Sequence, residues 1–117
     1  MNSPIILTLN LMEDSILLND GVLEALDWPR QVQILINDKE KKLAMRACTI
    51  DAQQAVVVPD DSTERIEISG RALLRRIRGL VGWEDDRPRA CHGEYMPAHQ
   101  AIMFSLVDAE PIDIQQQ

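Results

Sequence analysis

Aromatic residues are scarce in this chain: one Phe, one Tyr and two Trp, 3% of 117 residues. A core of stacked rings is thereby excluded, and burial must come from Ile, Leu, Val, Met and Ala, which dominate an apolar fraction of 45%. Lys and Arg are absent from residues 1–29, which carry Glu13, Asp14, Asp20, Glu24 and Asp27. With a net charge of −7 the chain as a whole lacks the positive footprint of a diffuse nucleic-acid coat, which disfavours nonspecific DNA binding. No apolar run approaches the ~18 residues of a membrane-spanning helix. The N-terminus has no basic n-region, and the run Ile5 to Leu11 is interrupted by Thr8 and Asn10. A cytoplasmic protein with no membrane association is expected.

The soft metal ligands are few: Cys48, Cys91, His92 and His99. There is no CxxC or HxxxH knuckle, and adjacent Cys91 and His92 would point to opposite faces of a strand. No metal or cofactor is expected, and the two cysteines read as free thiols. GxSxG, P-loop and dinucleotide glycine patterns are missing too. Asp60-Asp61 and Asp85-Asp86 fall in predicted turns, where acids are common. Glu94-Tyr95 near His92 is the one remaining cluster with acid–base potential. The chain is read as a non-enzyme.

What is present is a strong alternation. Ile5, Leu7, Leu9 and Leu11 share a face at period two and predict a strand; Glu13-Asp14 breaks it, and Ser15–Leu18 predicts a second. Asn19 or Asp20 can cap a helix over about 20–27, which Pro29 ends. Val32, Ile34 and Ile36, then Leu43, Met45 and Ala47, predict the two arms of a hairpin around a polar turn at 37–41. Residues 48–64 are less regular, with a short strand read at Val56–Val58 and a turn at Pro59–Ser62. Ile66 and Ile68 predict a strand, Ser69 an N-cap, and Leu73, Leu74, Ile77, Leu80 and Val81 the apolar side of a helix over 70–81 that stops at Gly82. A last hairpin over about 87–107 turns its Ile102, Phe104 and Leu106 inward, and 111–117 reads as a frayed tail. Strand, helix and hairpin thus occur twice, over 15–47 and 65–107. The expected architecture is a single α+β domain, β-rich, of two βαββ-like units. Short unpaired strands favour a homodimer.

The first unit, SILLNDGVLEALDWPRQVQILINDKEKKLAMRA, resembles the swapped-hairpin domain of AbrB-like transition-state regulators and MazE-like antitoxins, and a tandem of such units is similar to the MraZ layout. The resemblance implies a barrel-like, swapped-hairpin fold and a DNA-associated regulator. Where that family has Gly-Arg before the second strand and Pro after it, this chain has Asp14-Ser15 and Asn19-Asp20. Its first 29 residues also lack the family's basic face, so the fold can carry over without DNA contact by this unit. The run from VQILIND through KKLAMRAC to GEYMP and FSLVDAE resembles uncharacterised small proteins associated with bacterial mobile elements, which implies no activity.

Residues 65–93 hold seven arginines against four acids. Arg71, Arg75, Arg76 and Arg78 on the second helix are the candidate contact residues. An arginine is an always-charged forked donor suited to phosphates. The same residues also fit a solvated helix face neutralised by Glu67, Glu84, Asp85 and Asp86, or a patch that docks an acidic protein surface. Trp28 and Trp83 each follow a helix and are expected to plug equivalent edges of the core. The functional expectation is a regulatory or interaction module, DNA-associated in the leading reading. The alternatives are a protein-binding accessory factor and a small enzyme.

Overall fold

A computed structural model describes residues 4–49, 55–58 and 66–112. Strands β1 (Ile6–Asn10) and β2 (Ser15–Leu18) form a hairpin and lead into helix α1 (Asp20–Ala25). Strands β3 (Gln31–Asn37) and β4 (Lys42–Ala47) form the next hairpin, followed by β5 (Ala55–Val57) and β6 (Ile66–Ser69). Helix α2 (Arg71–Val81), the hairpin β7 (Arg89–Met96) and β8 (Ala101–Ser105), and the short β9 (Glu110–Pro111) complete the chain. The protein is an α+β domain: a curled, half-barrel antiparallel sheet with two helices among the described residues. Neither helix is long and apolar enough to cross a membrane.

The strand order is β5-β3-β4-β8-β7-β1-β2-β6, with β9 added beside β7. β7 joins the two halves of the sheet. Its first half lies against β1, from Arg89 opposite Leu9 to His92 opposite Ile6, and its second half, Gly93–Met96, lies against β8. At the handover the Gly93 N–H donates to the Ile5 carbonyl at 2.9 Å. A Cβ at Gly93 would sit 2.5 Å from Phe104 and 2.6 Å from Ile102, so the close approach requires glycine.

The sheet is interleaved. β2-α1-β3-β4 and β6-α2-β7-β8 repeat one element order, and the β1–β2 hairpin lies between β6 and β7 of the other unit. The pairings follow a two-fold pattern: β2 pairs β6, β4 pairs β8, and β1 on β7 is matched by β5 on β3. The pattern calls for one more ladder, β5 on β6, as counterpart of β1 on β2. No such ladder forms among the described residues, so the sheet stays open there.

The concave side holds the core. Leu7, Leu9, Leu18, Leu43, Ile102 and Phe104 are all inaccessible to solvent. Each such side chain contributes ~1.5–3 kcal/mol on burial. Alternation is the cause: these positions fall on the inward face of strands predicted from period two. Gln33 departs from it. It lies between the inward-facing Val32 and Ile34, yet it is buried, and its Oε1 accepts from Arg46 Nε at 2.8 Å across the β3–β4 ladder. Within the tail expected over about 111–117, Pro111 lies opposite Arg89 and the Ile112 N–H donates to the Pro88 carbonyl at 2.8 Å. The predicted features at Pro59–Ser62, among them Asp60-Asp61, and the tail beyond 112 lie outside the described residues.

Candidate functional site

Helix α2 rests on the sheet through buried Leu74 and Ile77, with Leu73, Leu80 and Val81 half-buried beside them. Its amphipathic spacing leaves the arginines on the outer face. Gly82 ends it with φ 84°, donating to the Arg78 carbonyl at 2.8 Å, as a left-handed C-cap does. The start differs from expectation. Ser69 stays in β6, opposite Ser15 in the β2–β6 ladder, which holds it extended. Gly70 is the N-cap instead, and no side chain caps this end.

The structure does not assemble the four arginines into a common open face. Arg71 Nε lies 3.9 Å from Asp14 in the β1–β2 turn, and Arg76 reaches Asp38 in the β3–β4 turn at 3.1 Å. Arg78 braces the segment after the helix: it pairs with Asp86 and donates to the carbonyls of Trp83 at 3.2 Å and Glu84 at 3.1 Å. Arg75 is exposed and has no ion-pair partner among the described residues. Exposed pairs of this kind are worth ~0–1 kcal/mol each, so they shape the surface potential more than the stability.

A second constellation follows α2. The Arg89 guanidinium lies 4.5 Å from the centre of the Trp83 ring and donates to Asp85 at 3.0 Å. The Asp85 carboxyl is held below its ordinary 3.8, chiefly by the backbone N–H of Arg87; desolvation opposes this, and the Arg89 guanidinium adds to the lowering. Trp83 packs against the core edge as expected. Trp28 does not. It is 59% exposed. Two bonds close the end of α1, from Asp27 N–H to Glu24 at 3.1 Å and from Trp28 N–H to Leu23 at 2.7 Å. They put Asp27 in the left-handed region, φ 62°, as this C-terminal motif requires. Trp28 follows at φ 51° and is left exposed.

The soft ligands stay apart. Cys91 is buried opposite Leu7, while His92 next to it faces solvent, as strand alternation demands. Burial pushes the Cys91 thiol up to about 12. Cys48 is half-buried beyond β4, and both cysteines are free. No group of three or more His, Cys, Asp or Glu that could hold a metal forms among the described residues. Glu94 and Tyr95 lie on the exposed part of β7.

Sequence reasoning missed one feature. Where β5 and β6 fail to meet, a cavity of about 400 Å³ opens between the β2–β6 and β3–β5 walls, bounded by the first turn of α2. Ile16, Ile34, Ile36 and Ile68 line it. They read as ordinary core positions from their alternation, and only the unmatched ladder of the repeat marks the gap. Against known proteins, the chain matches no protein-family model, no curated protein and no solved structure.

Proposed function

We propose that the chain is a non-enzymatic interaction module that engages a protein surface through the end of α1 bearing Trp28. The supporting observation is Trp28 itself. A bulky residue on left-handed backbone costs ~1–3 kcal/mol, and this one leaves its ring largely in water, so packing within the chain does not offset the cost. Tryptophan is also among the residues most enriched at the energetic centres of interfaces. Its counterpart Trp83 shows the alternative, a ring covered by Arg89 and the core.

The test is a photo-reactive side chain placed at position 28 and, as a comparison, at Lys39 in the β3–β4 turn. A discrete crosslinked partner from position 28, missing from position 39 and lost when unlabelled wild type but not Trp28→Ala competes, supports the reading. The same products from both positions defeat it.

A DNA-associated, AbrB-like regulator is the second reading. The interleaved hairpins favour it, since that is the arrangement the resemblance implies, and Arg75 offers a cation that no described acid offsets. The ion pairs at Arg71, Arg76 and Arg78 and the net charge of −7 count against it. Arg71→Glu with Arg75→Glu is the informative variant, because Arg78 braces the loop after α2 and its loss would perturb folding. DNA binding at low salt that this folded variant loses would favour the regulator over the protein-docking module. No binding by wild type at low salt would remove it.

A further inference from the structure

We propose that the open seam between β5 and β6 is a binding site for a small amphipathic anion, a carboxylate on an aliphatic tail, with the tail among the isoleucines and the head at the start of α2.

The cavity follows from the topology. Among the described residues every other ladder of the two-fold pattern is made, and the one that is not leaves two apolar walls facing each other. Ile16 and Ile68, directly opposite in the β2–β6 ladder, form one wall, while Ile34, Ile36 and Val56 form the other. At about 400 Å³ it falls in the range of small-molecule sites and has room for about a dozen non-hydrogen atoms. Gly70 keeps the floor low, since a Cβ there would come 2.8 Å from Ile16.

Among the described residues, the polar groups that line the cavity converge at the start of α2. Residues 70–73 line the cavity, and no side chain caps the helix that starts there. The first-turn N–H groups have no carbonyl within the helix to donate to, and the helix dipole adds partial positive charge. Arg71 and Arg76 stand beside them at the rim. Their partners Asp14 and Asp38 do not line the cavity, and no acidic side chain does among the described residues. Both pairs are exposed, so an incoming carboxylate competes with weak, solvated contacts. Charge and shape together favour an anion with an apolar tail over a cation or a neutral molecule.

The test is a titration of isotope-labelled protein with sodium octanoate, followed by amide and methyl NMR, with 1-octanol and octylammonium as comparisons. Saturable shifts at the amides of Arg71, Ala72 and Leu73 and at the methyls of Ile16, Ile34 and Ile68 are expected, with a Kd of about 1 mM or tighter. Octanol should bind ~10-fold more weakly and octylammonium not at all. Ala72→Glu separates binding from folding. A carboxylate in the first turn suits the helix dipole, so the variant stays folded, yet it occupies the head-group position and should lower octanoate affinity ~10-fold or more. Undiminished binding by Ala72→Glu overturns the proposal. So does octanol binding as tightly as octanoate, or unsaturable shifts spread over Met12, Trp28 and Val107.

Discussion

The side-chain oxygen of Asn19 accepts from the backbone N–H of Ile6 at 3.2 Å while it caps α1 through the N–H of Val22 at 3.1 Å. The amide nitrogen of Asn19 donates to the Pro4 carbonyl at 2.8 Å. One short residue therefore ties the first strand to the first helix and fixes how the β1–β2 hairpin enters the sheet. Asn19→Ala removes the cap and strands the Ile6 donor, and should cost ~2–3 kcal/mol in urea unfolding. Asn19→Asp keeps the acceptor but turns a donor into a second oxygen facing Pro4, and should cost less.

Two glycines predict opposite signs. Gly93→Ala places a methyl against Phe104, Ile102 and Ile5 where β7 changes partners, and should lose ~1–3 kcal/mol. Gly79 is exposed within α2 and a Cβ there meets nothing within 4 Å, so Gly79→Ala should gain ~0.5–1 kcal/mol. Paired denaturant curves check both, and equal effects would contradict the packing described at Gly93.

Much of the fold is legible because its signals are local. Leu7 and Leu9 mark β1, Leu43 and Met45 mark β4, and Leu74, Ile77 and Gly82 mark the seat and stop of α2. Ser69 misleads because a long-range constraint, the ladder with Ser15, holds it extended and moves the cap to Gly70. Trp28 misleads because hydrophobicity says that a ring tends to be buried, not whether the backbone before it turns outward. The seam is invisible to periodicity, since Ile16 and Ile68 alternate like any core residue. Which strands meet is decided between segments far apart in the chain. The four arginines are legible as a basic helix, but the acids that pair with Arg71 and Arg76 come from turns that local reading cannot bring near.

Asp85 gives the acid limb of the stability profile. Its carboxyl is held below 3.8 in the fold, first by the Arg87 N–H and then by Arg89. The ionised form is favoured by folding, so its contribution is present above the ordinary value and is lost as pH falls through the lower, folded one. Asp85→Asn should flatten the loss of stability below about pH 4 relative to wild type. It should also leave Arg89 without its carboxylate beside Trp83, read as altered Trp83 fluorescence in a Trp28→Phe background. Parallel acid limbs for both proteins would contradict the assignment.

Cys91 contributes to the alkaline limb, with the opposite sign. Fully buried opposite Leu7, its thiol is pushed from the ordinary 9.0 up to about 12 by desolvation, with Arg89 pulling weakly the other way. Below pH 9 the thiol keeps its proton in both the folded and the unfolded chain and adds no pH dependence. Above it the unfolded chain releases a proton that the folded one retains, so stability falls with a slope approaching ~1.4 kcal/mol per pH unit until about pH 12. The measurement is a difference between wild type and variant. Cys91→Ala should be less stable at neutral pH, because it leaves a small void, and should show a shallower alkaline decline than wild type. The same burial sets the order of thiol labelling at pH 8: half-buried Cys48 reacts first, and Cys91 only at the rate at which the β1–β7 ladder opens. Equal labelling rates, or equal alkaline slopes, would place the Cys91 sulfur in contact with water and contradict its burial beside β1.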